Sequence, residues 1–211
     1  IKNLKIFISQ ENLFSEENLK IRHIIMSNTN FLVRNDNINF FKKFLENKIS
    51  SKKINIKKSK VFFKDNQEET ILIFSIKNSD IFYNKEKKIN QTNTKGTIFN
   101  IPYTIVWNKF FEDEKKSITK INLNKLRIKI NNLFKFNKNN KIEYSINQIN
   151  TFQSKLITNY SFLENIINFD SEKSKLANSK ISYKGQIILR PFNLDLNIVA
   201  DKANINKLSN S

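Results

Sequence analysis

ITKINLNKLRIKINNLFKF, residues 118–136, shows the clearest period of two in the chain. Successive side chains of a strand point to opposite faces, so this stretch predicts strand structure with one apolar and one polar face. Its apolar residues fall into two sets of opposite parity: Ile121 and Leu123, then Leu126, Ile128 and Ile130. A one-residue shift would turn every later side chain to the other face. We therefore expect a β-bulge or a chain reversal at Asn124-Lys125.

The same period recurs from Lys53 to the end of the chain, interrupted by short polar stretches. It predicts nine or ten strands with no helix between them, and consecutive strands joined by short links should pair antiparallel. We expect a polar turn at Lys64–Glu69 and a polar loop at Asn84–Lys95. The predicted strands include Thr70–Ile76, one that starts at Ile81, Thr97–Trp107, Thr151–Ser161 and the segments before and after Arg190-Pro191.

The N-terminal part has a different pattern. Leu4, Ile6 and Ile8 alternate as in a short strand, and a mixed region covers residues 11–39. Apolar residues then follow at i, i+1, i+4 and i+5 within Asn37–Lys48, which predicts a short amphipathic helix capped by Asp36 or Asn37. The helix is expected to pack on a sheet edge, with a membrane-surface helix as the alternative.

Together these patterns predict a mainly all-β fold: an extended, twisted antiparallel sheet or meander that forms an apolar groove, with a short N-terminal helix. We expect two segments, residues 1–50 with the strand and the helix, and residues 51–211 with the antiparallel sheet. Ile1 is not a methionine, so we expect the chain to be a segment of a longer protein.

The composition excludes several kinds of site. The 211 residues carry a formal charge of +18, and they contain no Cys and one His. Disulfides, thiolate metal sites, Cys nucleophiles and multi-His metal sites are therefore excluded. Only four of the 37 basic residues are Arg, although Arg is the preferred residue for recognising phosphates and base edges. Ile, Asn, Lys and Phe, all encoded by A/T-rich codons, dominate the sequence, so much of the charge reflects the genome.

Individual candidate residues give no catalytic constellation. His23 is interpreted as a surface or packed histidine rather than a base, because no Ser or carboxylate pattern surrounds it. Glu16-Glu17 and residues 112–114 are acidic clusters without the spacing of a calcium loop. The lysines of 52–60 are interpreted as a solvated strand edge, with anionic lipid or nucleic acid as the alternative. Phe99, Tyr103 and Trp107 are expected to pack in a core, with a base-stacking platform as the alternative. We predict no enzyme activity, no cofactor, no metal and no nucleic-acid partner.

One parity of the best-defined strands is predicted to form a common apolar surface, the groove face. It consists of Ile121, Leu123, Leu126, Ile128, Ile130, Ile142, Tyr144, Ile146, Ile187, Leu189, Phe192, Leu194, Leu196 and Ile198. The phase shift at Arg190-Pro191 should be a bulge or a reversal that keeps this face apolar. The alternative is that the same residues fill an ordinary sandwich core.

The segment YKGQIILRPFNLDLNI, residues 183–198, resembles the repeated unit of AsmA-like proteins, which are related to TamB. TKGTIFNIPYTIVW, residues 94–107, is similar to a degenerate earlier copy, and residues 53–65 resemble the strand-turn-strand segments that precede such units. The resemblance covers about residues 50–205. It does not extend to residues 1–48, and the family's N-terminal transmembrane helix has no counterpart here.

The resemblance implies a bacterial envelope protein at the periplasmic face of the inner membrane, anchored by a segment outside this chain. It further implies an antiparallel sheet whose apolar groove holds the acyl chains of phospholipids during transport toward the outer membrane. Two other functions remain open: a basic nucleic-acid-binding β module, and a purely structural β-domain. A nucleic-acid binder predicts lysines and aromatic residues on one face, a lipid groove predicts them on opposite faces, and a structural domain predicts a closed core.

Overall fold

The computed structural model describes residues 2–9, 20–34, 36–65, 67–112, 115–136, 142–163, 165–177, 179–189 and 192–201. It is an all-β structure with one short α-helix, as the sequence predicted. The chain divides into two compact units, Ile1–Phe110 and Phe111–Ser211. Strands β2 and β3 pair with β4 across position 50, so the units differ from the segments 1–50 and 51–211.

The first unit contains seven strands and the helix. They are β1 (Asn3–Ile8), β2 (Ile21–Ser27), β3 (Asn30–Val33), α1 (Ile38–Glu46), β4 (Lys53–Lys64), β5 (Thr70–Asn84), β6 (Ile89–Ile98) and β7 (Ile101–Phe110). The strand order is β1-β2-β4-β5-β6-β7, and β3 also pairs with β4. All pairs are antiparallel except β2 and β3, which run parallel to β4. Parallel neighbours need a crossover connection, and α1 lies in the crossover from β3 to β4.

Strand β4 therefore lies inside the sheet, with β2 and then β3 on one side and β5 on the other. The interpretation of its lysines as a sheet edge was wrong, because the mixed region before α1 contains two strands that cover this side. Lys58 has a φ of 46° and is skipped in the pairing with β5. At the same place the parallel partner changes from β2 to β3, where the amide of Asn28 donates to the Lys57 carbonyl at 3.1 Å.

Two further expectations for this unit were wrong. Residues 70–84 form one strand, so no new strand begins at Ile81, and the pairing with β6 shows an irregularity between Ile76 and Asn78. The predicted polar loop at Asn84–Lys95 is mostly strand β6, whose residues 89–98 pair with β5 and β7. Polar residues form this strand because it lies between two partners that satisfy its backbone groups.

The predicted strand Thr97–Trp107 contains a chain reversal. Phe99 and Asn100 have φ values of 48° and 63°, and Ile98 pairs with Ile101 on either side of them. This is the geometry of a two-residue primed turn, which matches the twist of the strands that it joins. Asn is among the residues that tolerate a positive φ, whereas Phe at the first position is an unusual occupant, and the alternation of this stretch did not indicate a turn.

The helix α1 begins at the predicted cap, Asn37. The Asn37 side chain makes no cap hydrogen bond. Its Oδ1 instead accepts from the amide of Arg34 at 2.8 Å, and its Nδ2 donates to the carbonyl of Leu32 at 2.9 Å. Asn37 thus ties the start of the helix to the end of β3.

The segment after the helix is held by Asn90 of β6, whose side chain is fully buried. Its Oδ1 accepts from the amide of Ile49 at 3.0 Å, and its Nδ2 donates to the carbonyl of Asn47 at 2.7 Å. Lys109 of β7 donates to the carbonyl of Glu46 at 3.1 Å. These bonds fix the C-terminal end of α1 over one face of the sheet.

The second unit contains seven strands that lie in the sheet in the same order as in the chain. Each strand pairs antiparallel with the next one. They are β8 (Lys116–Leu123), β9 (Ile128–Phe136), β10 (Ile142–Asn150), β11 (Lys155–Leu163), β12 (Ile166–Leu176), β13 (Ser179–Leu189) and β14 (Phe192–Asp201). The shift at Asn124-Lys125 is a chain reversal: residues 124–126 form a 3-10 turn, and Arg127 follows with a φ of 55°. The expected bulge or reversal at Arg190-Pro191 falls on residues outside the described ranges. The strands before and after it, β13 and β14, pair antiparallel.

Both glycines of the chain lie inside strands, each opposite an aromatic residue. Gly96 pairs with Tyr103, and Gly185 pairs with Phe169. A Cβ atom on Gly96 would lie 1.8 Å from the carbonyl oxygen of Ser75 and 2.8 Å from the Tyr103 hydroxyl. Tyr103 donates to that same carbonyl at 3.2 Å. The aromatic side chain therefore crosses the glycine, and only hydrogen fits beneath it.

The variant Gly96→Ala tests this packing. In a strand the exchange of Gly for Ala normally stabilises by about 0.5–1 kcal/mol. Here we expect a loss of about 1–3 kcal/mol, because the methyl group forces the backbone or Tyr103 to move. Urea unfolding followed by circular dichroism measures the change, and Thr97→Ala on the same strand is the control with a small effect. A Gly96→Ala protein as stable as the unmodified one would contradict this account.

Candidate functional site

The strand register of the second unit assigns each side chain to one of two faces, because residues directly opposite in neighbouring strands share a face. The side of the sheet that carries Ile121 and Leu123 can be followed from pair to pair through all seven strands, from β8 to β14. We call this side the apolar face. Eleven of the fourteen residues predicted for the groove lie on it: Ile121, Leu123, Ile128, Ile130, Ile142, Ile187, Leu189, Phe192, Leu194, Leu196 and Ile198.

Three predicted residues lie elsewhere. Leu126 belongs to the 3-10 turn and is 46% exposed. Tyr144 and Ile146 lie on the opposite face, because the pairing of β9 and β10 shifts between Ile142 and Tyr144. The shift reverses the parity within β10, which the unbroken alternation of the sequence did not indicate.

The sequence prediction also missed members of the apolar face on strands β9 to β13. Most of them lie in strands where the alternation is mixed with serine, threonine and asparagine, so their parity alone gave a weak signal. The pairing register places them beside the predicted residues. They are Phe134, Ile149, Leu156, Tyr160, Phe162, Ile167, Phe169, Ile181 and Tyr183.

No apolar side chain of the second unit is fully buried among the described residues. The buried side chains there are four serines, Ser117, Ser145, Ser171 and Ser174. Large apolar side chains of the apolar face are exposed to solvent, most of all on β14, where Phe192 is 75% exposed. In the described part of this unit, the main contacts of each strand are with its paired neighbours, and the 3-10 turn contacts β9. The unit is therefore a single layer, whereas a sheet normally buries its apolar face against a second layer.

Small residues on this face make room for aromatic side chains. Ser145 pairs with Phe134 on one side and with Tyr160 on the other. The two rings contact each other edge to face, with centroids 5.8 Å apart, across the buried serine. Phe169 lies over Gly185 in the same way, since a Cβ atom there would lie 2.8 Å from the ring. Alternation of large and small residues keeps the rings in fixed positions.

A row of polar side chains crosses the apolar face. Thr119 pairs with Asn132, Asn132 with Asn147, and Asn147 with Thr158. The flanking row toward the other end of these strands is apolar, with Ile130 paired to Ile149 as one example. The face therefore presents an apolar band on one side of the polar band, and a row in which serine alternates with aromatic residues on the other side.

The polar band is partly cross-linked by hydrogen bonds. Asn132 donates to the Tyr160 hydroxyl, and the hydroxyls of Thr158 and Tyr183 lie 2.6 Å apart. The side-chain oxygens of Asn132 and Asn147 are buried and accept no hydrogen bond within the described residues. Because both oxygens are already shielded from solvent, the free-energy cost of leaving them unpaired belongs to the packing of the sheet itself.

The opposite face of the second unit, the polar face, carries most of the lysines. The register places Lys120, Lys129 and Lys135 there, together with Asn131 and Gln148. On the same face, the side-chain Nδ2 of Asn159 donates a hydrogen bond to Oδ2 of Asp170 at 3.0 Å. Lysines and the aromatic residues of the apolar face are thus separated by the sheet itself.

The other candidate residues form no site within the described part of the chain. His23 of β2 stacks on Phe7 of β1, with ring centroids 4.1 Å apart. Tyr103 is buried and Phe99 is 74% exposed in its turn, so the two do not form a common platform. Glu16, Glu17 and residues 113–114 lie outside the described residues. No group of three potential metal ligands occurs among those that are described.

No helix in the described ranges has the length and hydropathy of a membrane span, and α1 has nine residues. Comparisons with protein-family models, curated proteins and solved structures found no match to this chain. The resemblance to AsmA-like proteins therefore stays a prediction from the sequence motifs.

The Tyr160 phenol provides a test of the packing on the apolar face. Burial raises the pKa of Tyr160 above its ordinary value, and the hydrogen bond from Asn132 opposes this only in part. A raised pKa in the folded state means that the neutral phenol stabilises the fold below about pH 10 and that this contribution is lost as pH rises through the folded pKa.

We expect Tyr160→Phe to cost about 1 kcal/mol at neutral pH, where it removes the hydrogen bond with Asn132. The difference from the unmodified protein should shrink or reverse at strongly alkaline pH, because the unmodified protein alone must then bury or expose a phenolate. Urea unfolding at both pH values measures the two differences. A difference that is the same at both would show that this phenol is not packed as described.

Proposed function

We propose that this protein is a non-enzymatic lipid-binding protein whose apolar face, in the second unit, holds the acyl chains of phospholipids or related lipids. One observation carries the proposal: a seven-stranded sheet has an apolar face with exposed large side chains, and no apolar side chain in the described part of its unit is fully buried. Large exposed apolar patches mark binding sites for lipid, membrane or protein. Each methylene of an acyl chain transferred onto such a surface contributes about 0.8 kcal/mol.

The distribution of charge supports a lipid more than a nucleic acid. A nucleic-acid interface needs lysines and stacking aromatic residues on the same face. In the second unit the aromatic residues of the apolar face and lysines such as Lys120 and Lys129 lie on opposite faces. A purely structural domain would instead bury the large apolar side chains that this face leaves exposed.

The resemblance to AsmA-like proteins gives this binding a cellular setting, again as a proposal. In that setting the protein lies on the periplasmic side of a bacterial inner membrane and is anchored by a segment outside this chain. It conducts phospholipid toward the outer membrane or supports outer-membrane assembly. The binding itself needs no catalytic group, cofactor or metal.

The variant Leu194→Asp tests the proposal, because Leu194 lies on the apolar face and is 49% exposed. We expect circular dichroism and the unfolding midpoint to change little, since the carboxylate stays in contact with water. Binding of phospholipid from vesicles should weaken several-fold, because the charge displaces acyl chain from the face. Asn193→Asp adds the same charge to the polar face of the same strand and should leave lipid binding unchanged. Ile128→Asp, with Asn131→Asp as its control, repeats the test on β9.

The dependence of affinity on acyl-chain length provides an independent measurement. Affinity should rise roughly fourfold for each added methylene until the face is filled. Salt-dependent binding of single-stranded DNA that Leu194→Asp does not affect would favour the nucleic-acid alternative. If Leu194→Asp and Ile128→Asp both abolish cooperative folding, and no phospholipid co-purifies with the unmodified protein, the lipid-binding function is wrong.

A further inference from the structure

A cavity of about 380 Å³ lies in the first unit between α1 and the face of the sheet beneath it. Every residue that lines it is apolar, and its accessible walls carry no polar surface. The helix contributes Phe40, Phe41, Phe44 and Leu45. The strands contribute Met26, Phe31, Val33, Ile54, Ile56, Val61, Ile76 and Ile81.

The cavity exists because α1 is held at its ends rather than packed along its length. Asn37 ties the start of the helix to β3, and Asn90 and Lys109 tie the segment at its C-terminal end to β6 and β7. These bonds fix the height of the helix above the sheet. The space is partly open to solvent, so its apolar walls stay in contact with water when nothing fills it.

The apolar stripe of α1 is wider than its contact with the sheet. Phe40 is 69% exposed and Leu45 is 44% exposed, although both line the cavity. Large apolar side chains therefore continue from the cavity to the surface along the helix. An apolar ligand could enter along this path without passing a polar barrier.

We propose that this cavity binds a single acyl chain, with the polar end of the lipid outside. The walls offer no hydrogen-bond donor or acceptor, so the part of the ligand inside must be hydrocarbon. The volume exceeds the roughly 150 Å³ of a dry cavity that takes benzene, and it falls at the lower end of the ~300–1,000 Å³ range of small-molecule sites. A linear chain fits a space that is bounded by a helix above and by strands below.

This acyl-chain site is distinct from the apolar face of the second unit and does not rest on the proposed function. The occupant has two sources with the same chemistry, a free fatty acid or one tail of a phospholipid. A free fatty acid reaches the cavity as a monomer from solution. A phospholipid tail requires contact of α1 with a bilayer, for which exposed Phe40 and exposed Lys43 are suited.

The test uses a long-chain fatty acid with a photoactivatable diazirine at its methyl end, added to the full chain below its micelle concentration. After irradiation and proteolysis, mass spectrometry should find saturable label on peptides with residues 40–45 or 54–61. The same probe built into a phospholipid in vesicles tells the two sources apart: label from both probes indicates that bilayers also supply the chain.

The variant Val61→Trp places an indole in the cavity and should lower labelling of these peptides roughly tenfold, the effect of excluding about two methylenes. Lys60→Trp places the same side chain on the exposed opposite side of β4 and should not change it. The unfolding midpoint of Val61→Trp should be equal or higher, because filling a void stabilises. If Val61→Trp does not fold, the same measurement is made with Ile54→Phe, which adds less side-chain volume to the cavity.

Label on residues of β13 and β14 alone would overturn the acyl-chain site in the first unit while leaving the proposed function standing. Label near α1 alone would support this site and count against the apolar face. Labelling that is not saturable, or equal labelling in Val61→Trp and Lys60→Trp, would show that the cavity is a void without a ligand.

Discussion

The hydrogen-bonded register between neighbouring strands is the constraint on which the rest of the structure depends. Among the described residues of the second unit the strands form one layer, so their pairing decides which side chains lie on the apolar face. Each irregularity therefore has a large effect. The shift between Ile142 and Tyr144 moves two residues to the polar face, and the reversal at residues 124–126 keeps Leu123 and Ile128 together.

In the first unit, hydrogen bonds from asparagine side chains hold the crossover helix in place. Asn37 and Asn90 hold the crossover helix at both ends through main-chain atoms, and Asn90 does so from a fully buried position. A buried amide is stable only when both its donor and its acceptor are paired. Asn90 meets that condition with Asn47 and Ile49, so it positions the helix without closing the space below it.

Much of the fold could be predicted from the period of two, and the helix from the spacing of its apolar residues. The prediction failed where tertiary pairing overrides local pattern. Strand β6 has the composition of a loop, yet its polar residues are strand because β5 and β7 satisfy its backbone. The parallel strands before α1 have no hairpin signal, because a crossover joins them to β4.

The candidate site was predictable to a similar extent. Eleven groove residues could be assigned by parity, since strands such as β14 alternate without interruption. Tyr144 and Ile146 could not, because a bulge leaves the alternation of residue types intact while it reverses the faces. The polar band and the cavity under α1 arise from contacts between distant parts of the chain, such as Ser145 with Tyr160, which no local spacing encodes.

No apolar side chain in the described part of the second unit is fully buried, and this has a thermodynamic consequence. The heat-capacity change of unfolding comes mainly from apolar surface that becomes exposed, about 0.45 cal/mol/K for each Å², and exposed polar surface reduces it. Most apolar side chains in the described part of this unit are half-buried rather than fully buried, so the unit exposes less new apolar surface on unfolding than a sheet of the same size with a closed core. Its free energy of unfolding should therefore vary less with temperature, and an apolar ligand that covers the exposed face would add to the heat-capacity change and make stability more strongly curved with temperature.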